Sequence, residues 1–180
     1  MRLSAAFLQE HSAKPMEVFI ETGTGAGSTL AKAAPLFRKC FSCEPDAKRH
    51  LSCIKGFSGV SNVFIYFMNS VDFLGNLLTP LLGQESATFW LDAHYSGVGP
   101  SPDVECPLLD ELAVITSVNW QQKPVILIDD AYYFTDAFWS TRKAMPYTRS
   151  KWPTLEQIKK AMPFFNCEII GWKGGIVKLS

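Results

Sequence analysis

The sequence has no surplus of either charge: 17 Lys and Arg stand against 17 Asp and Glu. Nucleic-acid binders and proteins of acidic membrane surfaces carry a basic patch, and this balance offers no argument for one. No apolar run approaches the roughly 20 residues of a bilayer span. The opening MRLSAAFLQEHSAKP has no long apolar segment and brings Glu10, His11 and Lys14 early, so it does not read as a signal peptide. Internal repeats, low-complexity tracts and linker-like stretches are also missing. Cysteines are few and odd in number: Cys40, Cys43, Cys53, Cys106 and Cys167. Without a signal peptide, an odd count speaks for free thiols in a reducing compartment. These absences lead to the expectation of a soluble, cytoplasmic protein. With 47% hydrophobic and 19% charged residues, there is material for one core and no mark of disorder, so residues 1–180 read as a single domain.

One metal motif needs weighing at once. Cys40-x-x-Cys43, followed by His50 and Cys53, brings four zinc-ligand types within 14 residues. Yet Cys40 to Cys43 reads as a strand, in which residues three apart point to opposite faces and cannot share an ion. Cysteines packed as small hydrophobes explain the run better.

What is present is an alternation of short β-rich runs with longer helical ones, the pattern of βαβ units and a mainly parallel sheet. Strands are expected at Glu17–Glu21, Cys40–Cys43, Val63–Phe67, Ala87–Leu91 and Pro124–Ile128. A closing hairpin is expected from Cys167–Trp172 and Ile176–Leu179 around Lys173-Gly174-Gly175. Helices are expected at 3–12, Ser28–Phe37, Ala47–Ile54, Val71–Leu82, Cys106–Asn119 (with Pro107 in its first turn) and Leu155–Ala161. In such a sheet, ligands bind beyond the carboxyl ends of the strands. Polar residues just after strands are therefore the candidates.

After the first strand comes Glu21-Thr22-Gly23-Thr24-Gly25-Ala26-Gly27-Ser28. Glycines permit close approach of a ligand, and the following helix start offers free N–H groups. A dinucleotide fingerprint would need glycine where Ser28 stands. Glu21, directly before the glycines, would repel a pyrophosphate and hold an ammonium group. After the second strand, Glu44 stands 17 residues beyond Gly27, where an acid can accept bonds from ribose hydroxyls. After the third come Asn69 and Ser70, which could read an adenine edge or cap the next helix. After the fourth and fifth come Asp92-Ala93-His94 and Asp129-Asp130. Three carboxylates so placed repel one another unless neutralised, which a hard divalent cation would do. Asp130 as a cap and Asp92 bonded to backbone amides is the blander alternative. His94 titrates near neutrality and is a candidate base.

These residues resemble a known family. ETGTGAG resembles the first motif of class I S-adenosylmethionine-dependent methyltransferases, SCEPD their ribose-binding strand end, FMNSVDFL their adenine-side segment, and the closing hairpin their last two strands. The resemblance covers nearly the whole chain. It implies an α/β, Rossmann-like, doubly wound, mostly parallel seven-stranded sheet ending in an antiparallel hairpin. It implies S-adenosylmethionine held by Glu21, Thr22, Gly23, Gly25, Ser28, Glu44, Asn69, Ser70 and Asp92, with Glu21 on the methionine part. FWLDAHYSG and ILIDDAYYF further resemble the metal-dependent O-methyltransferases of the catechol and macrolide-sugar type. That implies magnesium, or another hard divalent cation, on Asp92, Asp129 and Asp130. It also implies a small-molecule hydroxyl as acceptor, with Asp92 and His94 in the catalytic centre.

The chain departs from that subtype in one respect. The catechol-type enzymes place a lysine base shortly after the strand-four Asp, where this chain has Ala93-His94-Tyr95-Ser96. Only Tyr95–Asp103 and the aromatic-rich segment Ala131–Trp152 remain to build an acceptor pocket, and neither names an acceptor. Two other readings stand beside the enzyme: a non-catalytic module binding S-adenosylmethionine or a partner protein, and an NAD-type oxidoreductase, against which Ser28 counts. The expected partner is a small-molecule substrate, with no nucleic acid and no membrane indicated, and homo-oligomerisation stays open.

Overall fold

Two strands, Val18–Thr22 (β1) and Ala87–Leu91 (β4), are buried along their whole length. Strands covered on both faces read as continuous apolar runs rather than alternations, and these two lie at the centre of the sheet. The computed structural model describes residues 3–78, 84–97, 103–141, 146–171 and 175–180. The remaining strands are Lys39–Cys43 (β2), Val63–Tyr66 (β3), Val125–Ile128 (β5), Cys167–Ile170 (β6) and Ile176–Leu179 (β7). They form one seven-stranded sheet in the order β3-β2-β1-β4-β5-β7-β6. β1 to β5 run parallel, while β7 is antiparallel to both β5 and β6. The expected sheet and closing hairpin are therefore present, although Trp172 to Gly174 of its turn lie outside the described residues. The chain builds outward from β1 to β3, then returns to lay β4 on the other side of β1. That reversal opens a crevice at the carboxyl ends of β1 and β4.

The helices are Ala5–His11 (α1), Leu30–Ala33 (α2), Ala47–Gly56 (α3), Ser70–Leu77 (α4), Leu108–Thr116 (α5), Asp136–Ser140 (α6) and Leu155–Ala161 (α7). On one face of the sheet, Val18, Ile20, Phe89 and Ile126 pack against Phe73 and Leu74 of α4, Leu112 and Ile115 of α5 and Ile158 of α7. On the other, Phe19, Cys40, Trp90 and Leu127 pack against Phe7 and Leu8 of α1 and Leu30 and Ala33 of α2. Each such side chain contributes about 1.5–3 kcal/mol by leaving water. Cys40 and Cys43 fall in opposite clusters, as the pleat requires, and all five cysteines are free.

Several boundaries differ from expectation for local reasons. α2 is regular only over Leu30–Ala33, because Pro35 has no N–H to continue the ladder. α5 begins after Pro107 and ends at Thr116, where the Thr116 and Ser117 hydroxyls donate to carbonyls of the preceding turn and compete with the helix. α4 ends at Leu77, and Thr79 to Leu82 of its expected extent lie outside the described residues. α6 and the 3-10 turns Ala131–Phe134 and Arg149–Lys151 carry no periodic signal in the sequence. Among the described residues, no helix is long and apolar enough to cross a membrane.

Candidate functional site

β1 ends in the glycine turn, where Gly23 and Gly25 have φ of +81° and +56°. Their reasons for being glycine differ. A Cβ on Gly23 would stand 2.5 Å from the Asp92 carbonyl oxygen, whereas one on Gly25 would meet nothing within 4 Å. Gly23 thus lets the end of β1 press against the end of β4, and Gly25 leaves bare backbone facing open space. The Gly23 and Thr24 amides donate to the Cys43 carbonyl at 3.2 and 2.9 Å, fastening the turn to β2. The Gly25 amide then donates to Glu44 Oε2 at 2.8 Å, and the Asp46 amide to Glu44 Oε1 at 2.9 Å. Two backbone donors fix a buried carboxylate, and each oxygen keeps a further lone pair for a ligand hydroxyl.

Glu44, Gly23, Gly25, Asn69, Ser70, Asp92 and His94 all line one cavity of about 770 Å³, which Asp129 and Asp130 also reach. Both expectations for Asn69 meet there. Its Oδ1 accepts the Asp72 amide at 2.9 Å and so caps α4, while the residue also lines the cavity. Glu21, Thr22 and Ser28 are not among the lining residues. Ser28 borders a separate groove with Gly27 and Phe57. Glu21 lies behind the turn, on the same face of β1 as Phe19. Ser42 Oγ donates to its Oε2 at 2.6 Å and sits 2.6 Å from Thr24 Oγ1. Burial pushes the Glu21 carboxyl up to about 8 against the pull of Ser42, so it carries a proton at neutral pH.

At the other end of the cavity, three carboxylates surround one imidazole. His94 Nε2 lies 3.0 Å from Asp130 Oδ2 and 3.6 Å from Asp92 Oδ1. Tyr132 Oη donates to Asp130 Oδ1 at 2.5 Å, and Asp129 Oδ1 accepts the Asp130 amide at 2.8 Å. Asp130 has φ of +55°, a left-handed conformation that aspartate tolerates better than most residues. Burial pushes Asp92 up to about 7 and Asp129 up to about 6, with neighbouring carboxylates adding and His94 opposing. Burial would raise Asp130 too, but hydrogen bonds from His94 and Tyr132 hold it below the ordinary carboxylate range. Burial would lower His94, yet the bond to Asp130 and the charge of Asp92 hold it above its ordinary value. This end therefore couples His94 to Asp130 through a direct side-chain hydrogen bond.

That geometry does not show the expected magnesium site on Asp92, Asp129 and Asp130. Both Asp130 oxygens are taken, by His94 and Tyr132, and the His94 ring stands between Asp130 and Asp92. Among the described residues, no group of three or more His, Cys, Asp or Glu side chains is set to hold a metal ion. Like charges this close favour the protonated form of the buried carboxyls Asp92 and Asp129.

An aromatic wall backs His94. Trp152 and Tyr133 lie 5.1 and 6.1 Å from its ring, and Tyr147 packs on Tyr133, Trp152 and Tyr95. The wall is tethered by Glu105, a fully buried residue without a motif to announce it. Its Oε2 accepts Trp152 Nε1 at 2.9 Å and the Thr148 amide at 2.8 Å, and its carbonyl accepts the Tyr95 amide at 2.7 Å. The sequence signal was an acid beside the apolar start of α5, which reads equally well as a solvated charge. Tyr132 was a member of an aromatic run with no assigned role.

No protein-family model matches this chain, and no curated protein matches it by sequence. Solved structures do. An O-methyltransferase from Bacillus cereus in complex with SAH is similar at 13% identity and a TM-score of 0.63, over 97% of this chain and 77% of that one. A SAM-dependent methyltransferase from Aquifex aeolicus gives 9% identity and a TM-score of 0.56, over 97% and 86%. The 23S rRNA methyltransferase ErmE gives 16% and 0.58, and this chain spans 65% of its length. At such identities the likeness is one of architecture, and what it establishes is that the chain has the fold of the S-adenosylmethionine-dependent methyltransferases.

Proposed function

We propose that the protein is an S-adenosylmethionine-dependent methyltransferase acting on a hydroxyl of a small molecule. The observation that carries the reading is a single cavity lined by Glu44, held by the Gly25 and Asp46 amides, and by the His94–Asp130 pair. The residues fit the cofactor. Glu44 would accept the ribose hydroxyls, Asn69 and Ser70 would border the base, and the bare backbone at Gly25 admits the ligand without a clash. When bound, S-adenosylmethionine supplies a methyl group on a sulfonium, whose carbon–sulfur bond pair leaves with sulfur as an oxygen attacks the carbon.

The chain's own part is to ready that oxygen. A neutral alcohol is a weak nucleophile, so its proton must go to a base as the new bond forms. With Nε2–H donated to Asp130, the neutral His94 ring keeps Nδ1 as its acceptor nitrogen. Asp130 fixes the tautomer and stabilises the imidazolium that results. A hydroxyl whose proton leaves as the new bond forms is the acceptor that such a base serves directly. A polyanionic acceptor such as RNA is disfavoured by the balance of 17 against 17 charges.

Calorimetry with S-adenosylmethionine, followed by a radiolabelled methyl-transfer assay over a panel of small hydroxyl compounds, tests the reading. Saturable binding, with transfer that His94→Ala abolishes, is expected. Absence of heat at millimolar ligand contradicts the cofactor. Transfer to amines that His94→Ala leaves intact contradicts the hydroxyl.

A further inference from the structure

The sheet has two open edges, and they are guarded differently. β6 carries Glu168, to whose Oε1 Asn166 Nδ2 donates. β3 has no charge and no proline in Val63–Tyr66, although charge and proline are the usual means of blunting an edge. Phe64 is 43% exposed and Phe67, just beyond the strand, 57%. Asn62 and Tyr66 carbonyls accept the Cys40 and Glu44 amides at 2.8 and 3.0 Å. In a parallel ladder, Val63 and Ile65 then turn their backbone groups outward. Two of these groups have only long contacts, the Val63 amide to the Val60 carbonyl and the Ile65 carbonyl to His50 Nε2, each at 3.4 Å, which an added strand would replace.

α3 runs along the same edge. His50 reaches β3, so the stripe from His50 to Ile54 follows the strand. Only Cys53 of α3 is buried; Leu51 is 67% and Ile54 44% exposed. Single exposed apolar residues need no explanation. Here Phe64, Tyr66 and Phe67 lie on or just beyond a strand that, among the described residues, has no partner on its outer side, and Leu51 and Ile54 are exposed on the helix whose His50 touches it. α3 also carries Lys48, Arg49 and Lys55 and no acid. Among the described residues, none of these three cations makes an ion pair. Lys48, Leu51 and Lys55 share one stripe.

We infer that the β3–α3 edge accepts an added strand from a partner polypeptide, an extended apolar segment flanked by Asp or Glu. The outward backbone groups of Val63 and Ile65 provide the ladder, the exposed apolar side chains grip alternate residues, and the α3 cations meet the acidic flanks. A second copy of this chain fits less well. A two-fold axis normal to the sheet would set α3 beside α3, cation against cation. Nucleic acid could stack on Phe64, Tyr66 and Phe67, but it would leave the outward backbone groups of β3 unused, which an added strand would pair.

The test uses the full chain and a fluorescein-labelled peptide of alternating valine and tyrosine with two glutamates at each end. The same peptide with lysines in their place is the comparison. The glutamate form is expected to bind saturably and about tenfold tighter than the lysine form. The preference should vanish or reverse in Lys48→Glu/Lys55→Glu. Binding should be lost in Leu51→Asp/Phe67→Asp, and equally in Leu51→Asp/Phe64→Asp, with circular dichroism confirming that each variant keeps the parent fold. Amide resonances of Val63 and Ile65 should shift on titration. No saturable binding, equal affinity for both peptides, or binding that survives Leu51→Asp/Phe64→Asp overturns the inference. So does a dimer of the chain alone that the same double variant dissolves, or displacement of the peptide by poly(U).

Discussion

At the β1–β2 end of the cavity, backbone amides hold one carboxylate. At the β4–β5 end, side chains hold one another. Glu44 is fixed by the Gly25 and Asp46 N–H groups, and the turn that supplies them is fixed in turn by the Cys43 carbonyl. His94, Asp130 and Tyr132 instead form a chain of side-chain contacts propped by an aromatic wall that Glu105 ties down. The first arrangement can present a rigid acceptor to the same ligand every time. The second has groups that titrate, which is what moving a proton requires. On the proposed function, rigid binding and proton transfer would sit on opposite sides of the topological reversal.

The largest expected effect separates the two ends. His94→Ala should lower methyl transfer by about 10³-fold, the usual worth of a positioned base, while leaving cofactor affinity within about twofold. Steady-state rates beside calorimetric affinities check this. Gly23→Ala should cost about 3 kcal/mol of stability, from its positive φ and from the 2.5 Å approach to the Asp92 carbonyl. Gly25→Ala, strained by φ but meeting nothing within 4 Å, should cost about 1 kcal/mol; urea unfolding of both variants reads the contrast. Glu44→Ala should weaken cofactor binding by about 100-fold, having lost the charge-assisted bonds to ligand hydroxyls.

A smaller effect lies in the pH dependence. The Glu21 carboxyl is raised from 4.5 to about 8 in the folded protein. The unfolded chain releases this proton first, so the stability it contributes is complete below pH 4.5 and is lost as pH rises through about 8. Glu21→Gln carries no such proton. Unfolding measured across this range should find the two proteins alike near pH 5 and the variant more stable above pH 8; parallel profiles would show that Glu21 is ionised when folded. The smallest effect is a null one. Adding magnesium or a chelator should leave the pH profile of transfer unchanged, because His94 already sits between Asp92 and Asp130. A magnesium-dependent profile would reassign the β4–β5 end.

Most of the sheet was legible because its strands are short apolar runs between turn residues, and β4 and β7 keep the bounds that pattern assigns. The position of Glu44 was legible for a related reason: it follows β2 at the carboxyl end of a parallel strand, where the crevice lies, and it lines the cavity. Glu21 shows where local pattern stops short. An acid before glycines suggests a cation partner, but the pleat of β1 puts Glu21 on the face of Phe19, and register sets it opposite Ser42. Three acids after two neighbouring strands suggest a counter-ion, and only the fold reveals that His94 lies among them, bonded to Asp130. Glu105 lies 43 and 47 residues from the groups it holds, a distance no motif spans. The turns within Ala131–Lys151 owe their shape to ring packing rather than to periodicity.

The division of labour between the two ends is tested most directly by titrating S-adenosylhomocysteine into Glu44→Ala and His94→Ala by calorimetry, against the parent chain. The account predicts a loss of about two orders of magnitude in affinity for Glu44→Ala and an unchanged affinity for His94→Ala. Equal losses in both variants, or no loss in Glu44→Ala, would contradict it.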